Sequence, residues 1–224
     1  MKKILKLILA ALMIAAAAGC TNTNNNDAAV NTTPAPTAEQ AENSISETQE
    51  PINGTEIELE KINGTAVVPD GFYVIGEDYP ITEQMCSDIG VEFDKMQTAI
   101  SMLQGQILIV PCNEPYSSSS HYYIKVKDKK YEDITLSELS ESECSLIVSA
   151  VVDSFGAVGY EIEERNGLRF FVFTADQGYG NVLRYATIID GHMIYIYSNT
   201  LQDGAEEEIR STLEKIAFSI RCQY

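Results

Sequence analysis

The sequence of 224 residues is 45% hydrophobic and carries 33 acidic against 15 basic side chains, for a net charge of −18. This length suffices for one domain with a substantial core. Such an acidic chain repels phosphate polyanions, and nucleic-acid-binding proteins instead carry a basic stripe, so we exclude nucleic acid as a partner.

The first twenty residues predict export. Three lysines lie among the first six residues, and a largely apolar run extends from Ile4 to Ala18. The run is shorter than the roughly 20 apolar residues of a membrane span, and it ends in small residues, as secretory signals do. The end of this segment, Ala17-Ala18-Gly19-Cys20, resembles the lipobox of bacterial lipoproteins, with Ala17 where leucine is more usual. The resemblance implies that Cys20 is lipidated on sulfur, and the alternative is an ordinary signal peptide with a chance cysteine.

The segment after Cys20 predicts a tether. Residues 21–56 are mainly Asn, Thr, Ala, Glu and Pro, without aromatic or basic side chains. Such a segment cannot bury enough apolar surface to offset its ordering entropy, so we predict disorder. The predicted organisation is a signal peptide (1–19), lipidated Cys20 with a disordered tether (20–56) and a single domain (57–224). We expect the protein on the extracytoplasmic face of the cell membrane, anchored in the lipid bilayer through Cys20.

Turn signals and apolar spacing divide the first half of the domain into short elements. Asn63-Gly64 between two apolar runs predicts a β-hairpin, and a second turn follows at Pro69-Asp70-Gly71. From Thr82 to Gln104 the apolar spacing is helical, and Gly90 divides it into two short helices. Ile107 to Val110 predicts a buried strand.

The middle of the domain contains a strand and a helix. The alternating segment from Tyr122 to Lys127 predicts a strand, and Ser142 to Phe155 predicts a helix that ends at Gly156. The strand leads into the chain's basic cluster, Lys125, Lys127, Lys129 and Lys130. Lysines on a strand edge prevent edge-to-edge pairing, and we interpret the cluster in this way, with binding of an acidic ligand as the alternative.

The last third predicts a four-stranded antiparallel meander and a closing helix. Its strands begin near Tyr160, Leu168, Val182 and Met193. The inner strands are apolar on both faces, whereas a sheet with one wet face alternates with polar residues, so both faces need a cover. The closing helix begins at a capping box of Asp203 and Glu206. We therefore predict an α+β fold in which helices cover both faces of an antiparallel sheet, an α/β/α sandwich.

The order of these elements resembles the PsbP-like α/β/α sandwich. The resemblance is carried by the turn Pro69-Asp70-Gly71-Phe72 after the opening hairpin, the late meander, and the final helix with Leu213-Glu214-Lys215-Ile216. That group includes a photosynthetic extrinsic subunit, the Ran-binding Mog family and many small bacterial lipoproteins. The resemblance covers residues 57–222 and implies a binding or assembly factor. Its motifs are not catalytic, so it implies no active-site residues.

The remaining cysteines are Cys86, Cys112, Cys144 and Cys222. In an exported protein three disulfide pairings are possible, and buried free thiols are an equal alternative. The sequence contains no Cys-x-x-Cys pair, and we predict neither a metal site nor a cofactor. Cys112 and His121 lie near one loop, but Cys112 ends an apolar strand and we predict a structural thiol rather than an enzyme.

Acidic and tyrosine-rich segments are the candidates for ligand binding. Twelve tyrosines and no tryptophan occur in the chain, and tyrosine combines an apolar ring with a hydroxyl group. The predicted ligand-binding residues are Tyr179, Tyr185, Tyr195, Glu161 and Glu163. We expect a non-catalytic lipoprotein whose domain binds an envelope protein or another envelope component. The alternative is a lipoprotein that binds a small ligand or a cation through these loops.

Overall fold

The computed structural model describes residues 52–116, 121–178, 180–199 and 204–222. The predicted signal peptide, Cys20 and all but the last five residues of the predicted tether lie outside this part. The described strands are β1 (Gly54–Leu59), β2 (Gly64–Pro69), β3 (Phe72–Ile75), β4 (Ile107–Pro111), β5 (Tyr122–Val126), β6 (Glu161–Arg165), β7 (Leu168–Asp176), β8 (Asn181–Ile189), β9 (His192–Ser198) and β10 (Arg221–Cys222). The described α-helices are α1 (Glu83–Asp88), α2 (Phe93–Ser101), α3 (Glu141–Ser154) and α4 (Glu206–Phe218).

The strands form two antiparallel sheets. The larger sheet has seven strands in the order β3-β4-β5-β9-β8-β7-β6, and the smaller has the order β1-β2-β10. The predicted meander is therefore confirmed as β6 to β9. Its turns at Asn166-Gly167 and Asp190-Gly191 have positive φ at both positions, as the tight turns of two-residue hairpins require. The pairing of β5 with β9 joins the meander to the first half of the domain.

One face of the large sheet, which we call the α4 face, packs against α4 and the small sheet. Phe170 and Tyr185 of the large sheet, Leu213 and Ile216 of α4, and Ile57 of the small sheet share one buried cluster. Burying one such side chain contributes about 1.5–3 kcal/mol. This cluster joins the two sheets and the closing helix into one core.

The opposite face, which we call the α3 face, carries two separate covers. Helix α3 packs over β7 to β9, where Val148 lies in one cluster with Phe171 and Phe173. Helices α1 and α2 pack over β3 and β4, where Met96 lies in a second cluster with Leu108. The region of the sheet between these covers belongs to β5 and β9.

These packing arrangements confirm the predicted α+β fold with both sheet faces covered. The predicted hairpin at Asn63-Gly64 is confirmed as the pair β1 and β2. The prediction missed that this hairpin belongs to a separate sheet with β10, because Pro69-Asp70-Gly71 connects strands of different sheets. The start of α4 was also wrong: its N-cap is Ala205, which has no side-chain capping bond, and Asp203 lies outside the described residues. β1 begins at Gly54, within the predicted tether.

Candidate functional site

Three of the five predicted ligand-binding residues meet at the edge of the α4 face. Glu161 and Glu163 project from β6, and Arg210 of α4 donates to them over 3.0 Å and 3.2 Å. The hydroxyl of Tyr185 donates to Glu214 of α4 over 2.9 Å. The Arg210 guanidinium also lies 3.8 Å from Glu214, so one cation serves three carboxylates. We call these residues the carboxylate–arginine cluster.

The charged and polar groups of the carboxylate–arginine cluster are paired with one another. Burial, followed by the charge of Glu214, raises the pKa of the Glu163 carboxyl, and Arg210 opposes that rise. Burial also raises the pKa of Tyr185, and its hydrogen bond to Glu214 adds to the effect. A guanidinium therefore already occupies the position that a bound cation would take. The cluster ties α4 to the edge strand β6.

The other two predicted residues do not join the cluster. Tyr195 points to the α3 face, where burial raises the pKa of its phenol. Tyr179 lies outside the described residues. The five residues therefore do not form one site.

A second arrangement lies on the α3 face, between the two helical covers. We call it the tyrosine–lysine floor, and it consists of Tyr123, Lys125 and Lys127 at β5 and Tyr195 and Tyr197 of β9. Tyr123 pairs with Tyr197 and Lys125 with Tyr195 in the strand register, which places all four on one face. Tyr123, Lys125 and Tyr197 are half-buried and Lys127 is exposed. Tyr195 is buried, so the floor as a whole is partly exposed to solvent.

Aromatic contacts hold the tyrosines of the floor in place. The rings of Tyr123 and Tyr197 stack with centroids 5.1 Å apart, and the Tyr197 hydroxyl donates to Gln106. His121 places its Nε2 2.8 Å from the Tyr123 hydroxyl and stacks on Tyr116 at 5.1 Å. The rings are therefore fixed before any ligand arrives, which lowers the entropic cost of binding.

Arg184 of β8 lies beside the floor as a buried cation. Its guanidinium carbon is 4.7 Å from the centroid of the Phe155 ring and 4.7 Å from that of Tyr197. Such contacts are attractive because the ring faces carry negative charge density. Only 6% of Arg184 is exposed, so its charge is felt in a weakly screened region.

The strand register leaves the interpretation of the floor lysines from the sequence open. β5 lies between β4 and β9, but its pairing with β4 ends at Ile124, so Lys125 has a strand partner on the β9 side only and Lys127 follows the end of β5. Lys127 places its Nζ 5.0 Å from the centroid of the Tyr195 ring. Burial lowers the pKa of Lys127, and the charges of Lys125, Lys130 and Arg184 lower it further. The two lysines therefore belong to a positive region inside an acidic protein.

His121 contacts tyrosines, in agreement with the structural thiol predicted at Cys112 in place of a dyad. The buried ring of His121 contacts Tyr116 and Tyr123, and Cys112 follows β4 with its backbone N–H bonded to Gly71. The other predicted thiols, Cys86, Cys144 and Cys222, are free and belong to three different core clusters. Cys112 is free as well.

Two further features concern metals and membranes. Within the described ranges, no group of three or more His, Cys, Asp or Glu side chains is placed to hold a metal ion. None of the helices in the described part of the chain combines the length and the apolar character needed to cross a bilayer.

Sequence reasoning missed the tyrosine–lysine floor as a unit. It weighed Lys125 and Lys127 together and named Tyr195, but it assigned them to different sites. The available signal was the position of the only basic cluster of an acidic chain on a strand of alternating character. The missing information was the long-range pairing of β5 with β9.

Comparisons with known proteins give structural similarities but no sequence match. No protein-family model matches the chain, and no curated protein matches it. The chain is similar to the solution structure of cyanobacterial PsbP (CyanoP) from Synechocystis sp. PCC 6803, with 11% identity and a TM-score of 0.40. The match covers 75% of this chain and 92% of the other. At this level the similarity adds no evidence on function, and the α+β class rests on the sheets and helices described above.

Proposed function

We propose that this protein is a membrane-anchored extracytoplasmic lipoprotein whose domain is a non-catalytic binding module for an envelope component. The observation that supports a binding role is the tyrosine–lysine floor. It is a partly exposed, partly polar region of the large sheet between two areas that are buried under helices.

The side chains of the floor favour ligand binding over catalysis. Tyrosine side chains give large contact areas at a small cost in conformational entropy, and they accept both apolar and polar partners. His121, whose Nε2 lies 2.8 Å from the Tyr123 hydroxyl, is engaged with two tyrosine rings. Membership of the PsbP-like group, expected from Pro69, Gly71 and Phe72, is part of this proposal.

The anchoring rests on the sequence around Cys20. Cys20→Ser removes the sulfur that would carry the lipid, and we expect the variant to leave the membrane fraction of cells. A single acyl chain gives only marginal membrane binding, so the wild type must show full lipid modification by mass spectrometry. Retention of the Cys20→Ser protein in membranes would contradict the anchor.

The binding role is tested by photocrosslinking in cells. Lys130 is exposed beside Lys127, and a photoreactive residue at position 130 samples whatever contacts the floor. Lys215 is exposed on α4, on the far side of the sheet, and serves as the matched control. We expect a discrete envelope adduct at position 130 that is absent at position 215. Identical products at both positions, or none at either, would refute the proposed role of the floor.

A further inference from the structure

One edge of the large sheet carries most of the exposed large apolar side chains in the described part of the chain. Leu146 of α3 is 52% exposed, Ile162 of β6 is 41% exposed, and Val158, in the connection between these elements, is fully exposed. Among the described residues, the one other such side chain is Met102, at the end of α2. Single apolar side chains on a surface are ordinary, whereas a group of them marks an interaction site. We call Leu146, Val158 and Ile162 the edge patch.

A contact between α3 and the start of β6 brings the edge patch together. The hydroxyl of Ser149 lies 3.4 Å from that of Tyr160. Leu146 precedes Ser149 by three residues and therefore lies on the same side of the helix. Ile162 follows Tyr160 by two residues and pairs with Phe171, whose side chain lies under α3, so Ile162 projects to the α3 face. Leu146 and Ile162 thus flank one contact on one side of the molecule.

The backbone of β6 is available for pairing along its outer edge. β6 is the last strand of the large sheet, and its strand partner is β7. Within the described ranges, its N–H and C=O groups make no hydrogen bond outside this pairing. Such an edge presents a row of donors and acceptors that another chain can pair with. The opposite edge strand, β3, exposes no large apolar side chain. Of the two edges of the large sheet, only that of β6 thus combines unpaired backbone with exposed apolar surface.

The other face of β6 carries an excess of negative charge. Glu161 projects to the α4 face, where the carboxylate–arginine cluster sets three carboxylates against one guanidinium, and its side chain is 66% exposed. Glu206 and Glu207, exposed in the first turn of α4, precede Arg210 by four and three residues and lie on its side of the helix. Arg165 lies at the far end of β6. A strand added to β6 would therefore meet an apolar surface on one face and an acidic surface on the other.

We propose that the edge of β6 binds an extended segment of a partner protein, which adds a strand to the large sheet. Side chains alternate between the two faces of a strand, so the segment has apolar side chains towards the edge patch and lysine or arginine towards the carboxylate–arginine cluster. Backbone hydrogen bonds to β6 supply affinity, and the alternating side chains supply specificity. This surface is separate from the tyrosine–lysine floor, so the inference goes beyond the binding role proposed above and does not rest on it.

Charge argues against two other occupants of this edge. A second copy of this chain has the same net charge of −18 and would bring the same carboxylates to the contact, where like charges repel. Residues 21–51 of this chain contain no lysine or arginine to place against the acidic face. A basic partner has the complementary charge, and it is also attracted to this acidic protein from a distance.

Fluorescence anisotropy with a labelled peptide tests the proposal on the full chain in a neutral detergent. The probe is the heptapeptide Lys-Ile-Lys-Val-Lys-Ile-Lys, which has apolar and basic side chains on opposite faces of a strand. Glu-Ile-Glu-Val-Glu-Ile-Glu is the control for charge. A probe methylated on every internal amide nitrogen is the control for strand pairing, because it keeps the side chains and cannot donate to β6. We expect the probe to bind at least tenfold more tightly than either control, as two or three backbone hydrogen bonds provide.

Variants with matched controls assign the binding to the two faces of β6. Leu146→Ser/Ile162→Thr should weaken binding of the probe at least tenfold, because the half-exposed apolar side chains that the probe would bury are lost. Met102→Ser removes an exposed apolar side chain at the end of α2 and should bind as the wild type does.

The acidic face is tested in the same way. Glu206→Gln/Glu207→Gln should weaken binding a few fold, with a smaller dependence on salt. Its control is Glu83→Gln/Asp94→Asn, which removes the same charge from the first turns of α1 and α2 and should bind as the wild type does.

Amide hydrogen exchange reports strand addition directly. The bound probe should slow exchange in β6 and leave exchange in β3 unchanged. The proposal is refuted if the probe binds more weakly than about 1 mM, if either control peptide binds equally well, or if Leu146→Ser/Ile162→Thr binds as the wild type does. A dimer of the full chain in sedimentation that is lost in this variant would assign the edge to a second copy and overturn the basic partner. The crosslink at position 130 probes the floor, so its outcome is independent of these results.

Discussion

Replacing Arg210 with methionine tests whether the carboxylate–arginine cluster holds α4 against β6. The substitution keeps the approximate length of the side chain and removes the charge. It leaves Glu161, Glu163 and Glu214 close together without their shared cation. We expect a loss of stability at neutral pH that depends on the ionisation of these carboxylates.

The exposed fractions of the partners set the size of the loss. The side chain of Glu161 is 66% exposed, so its ion pair contributes about 0.5 kcal/mol. That of Glu163 is 26% exposed, and its charged hydrogen bond contributes about 1 kcal/mol after allowance for the 38% exposure of Arg210. Together they give a loss of about 1–2 kcal/mol. With a slope of about 2 kcal/mol per molar urea, the midpoint should fall by about 0.5–1 M.

The loss should shrink when the pH is lowered from 7 towards 4. Because the pKa of Glu163 is raised in the folded state, the ionised form costs folding free energy above that pKa, and the cost disappears as the pH falls below it. Without Arg210 the pKa rises further, so the cost at neutral pH grows. At low pH the wild type also loses its ion pairs, and the two proteins become more alike.

Urea unfolding followed by tyrosine fluorescence measures this loss, since the chain has twelve tyrosines and no tryptophan. Arg221→Met is the control, because Arg221 is exposed on β10 and, within the described ranges, belongs to no ion pair. Its midpoint should change by less than the equivalent of about 0.5 kcal/mol. If Arg210→Met loses no more than this control, or loses the same amount at pH 7 and pH 4, the cluster does not stabilise the helix as argued.

Three smaller perturbations follow from local geometry. Ser140→Ala removes the capping box of α3 and should cost about 1 kcal/mol, seen as a fall of about 2–4 °C in the thermal midpoint. Gly191→Ala should cost about 3 kcal/mol or more in urea unfolding, because φ is +77° and the new Cβ would lie 1.8 Å from the carbonyl oxygen of Glu132; an unchanged midpoint would contradict the turn. Tyr185→Phe should cost about 1–2 kcal/mol, because a buried hydroxyl no longer donates to its carboxylate partner; a cost near zero would mean that water replaces it.

Most local elements could be predicted from the sequence because their signals are local. The helix α3 has apolar spacing, a serine before its first turn and Gly156 after its end, where φ is +69°. The residue types at Asn166-Gly167 and Asp190-Gly191 predict a tight turn directly, since few other residue pairs adopt positive φ at two consecutive positions. Each of these signals depends on residues only a few positions apart in the sequence, so it can be recognised without the fold.

The third strand of the small sheet could not be predicted, because its pairing with β2 spans the whole domain. β2 pairs with β10 between Thr65 and Arg221, and the hydroxyl of Ser219 accepts from the backbone N–H of Val67 over 2.7 Å. β10 is two residues long, which is below the length at which alternation carries information. Only the folded core brings these distant segments together.

The candidate site was hidden by the same long-range order. The lysines at positions 125 and 127 alternate with apolar residues, and that pattern is identical for a wet edge strand and for a central strand with an open face. The difference lies in the pairing on each side of β5: β9 pairs with Lys125, whereas the pairing with β4 ends at Ile124. The sequence does not contain this register, because β9 begins 66 residues after β5 ends. Only the folded sheet brings Tyr123 beside Tyr197 and Lys125 beside Tyr195, and these pairings create the floor.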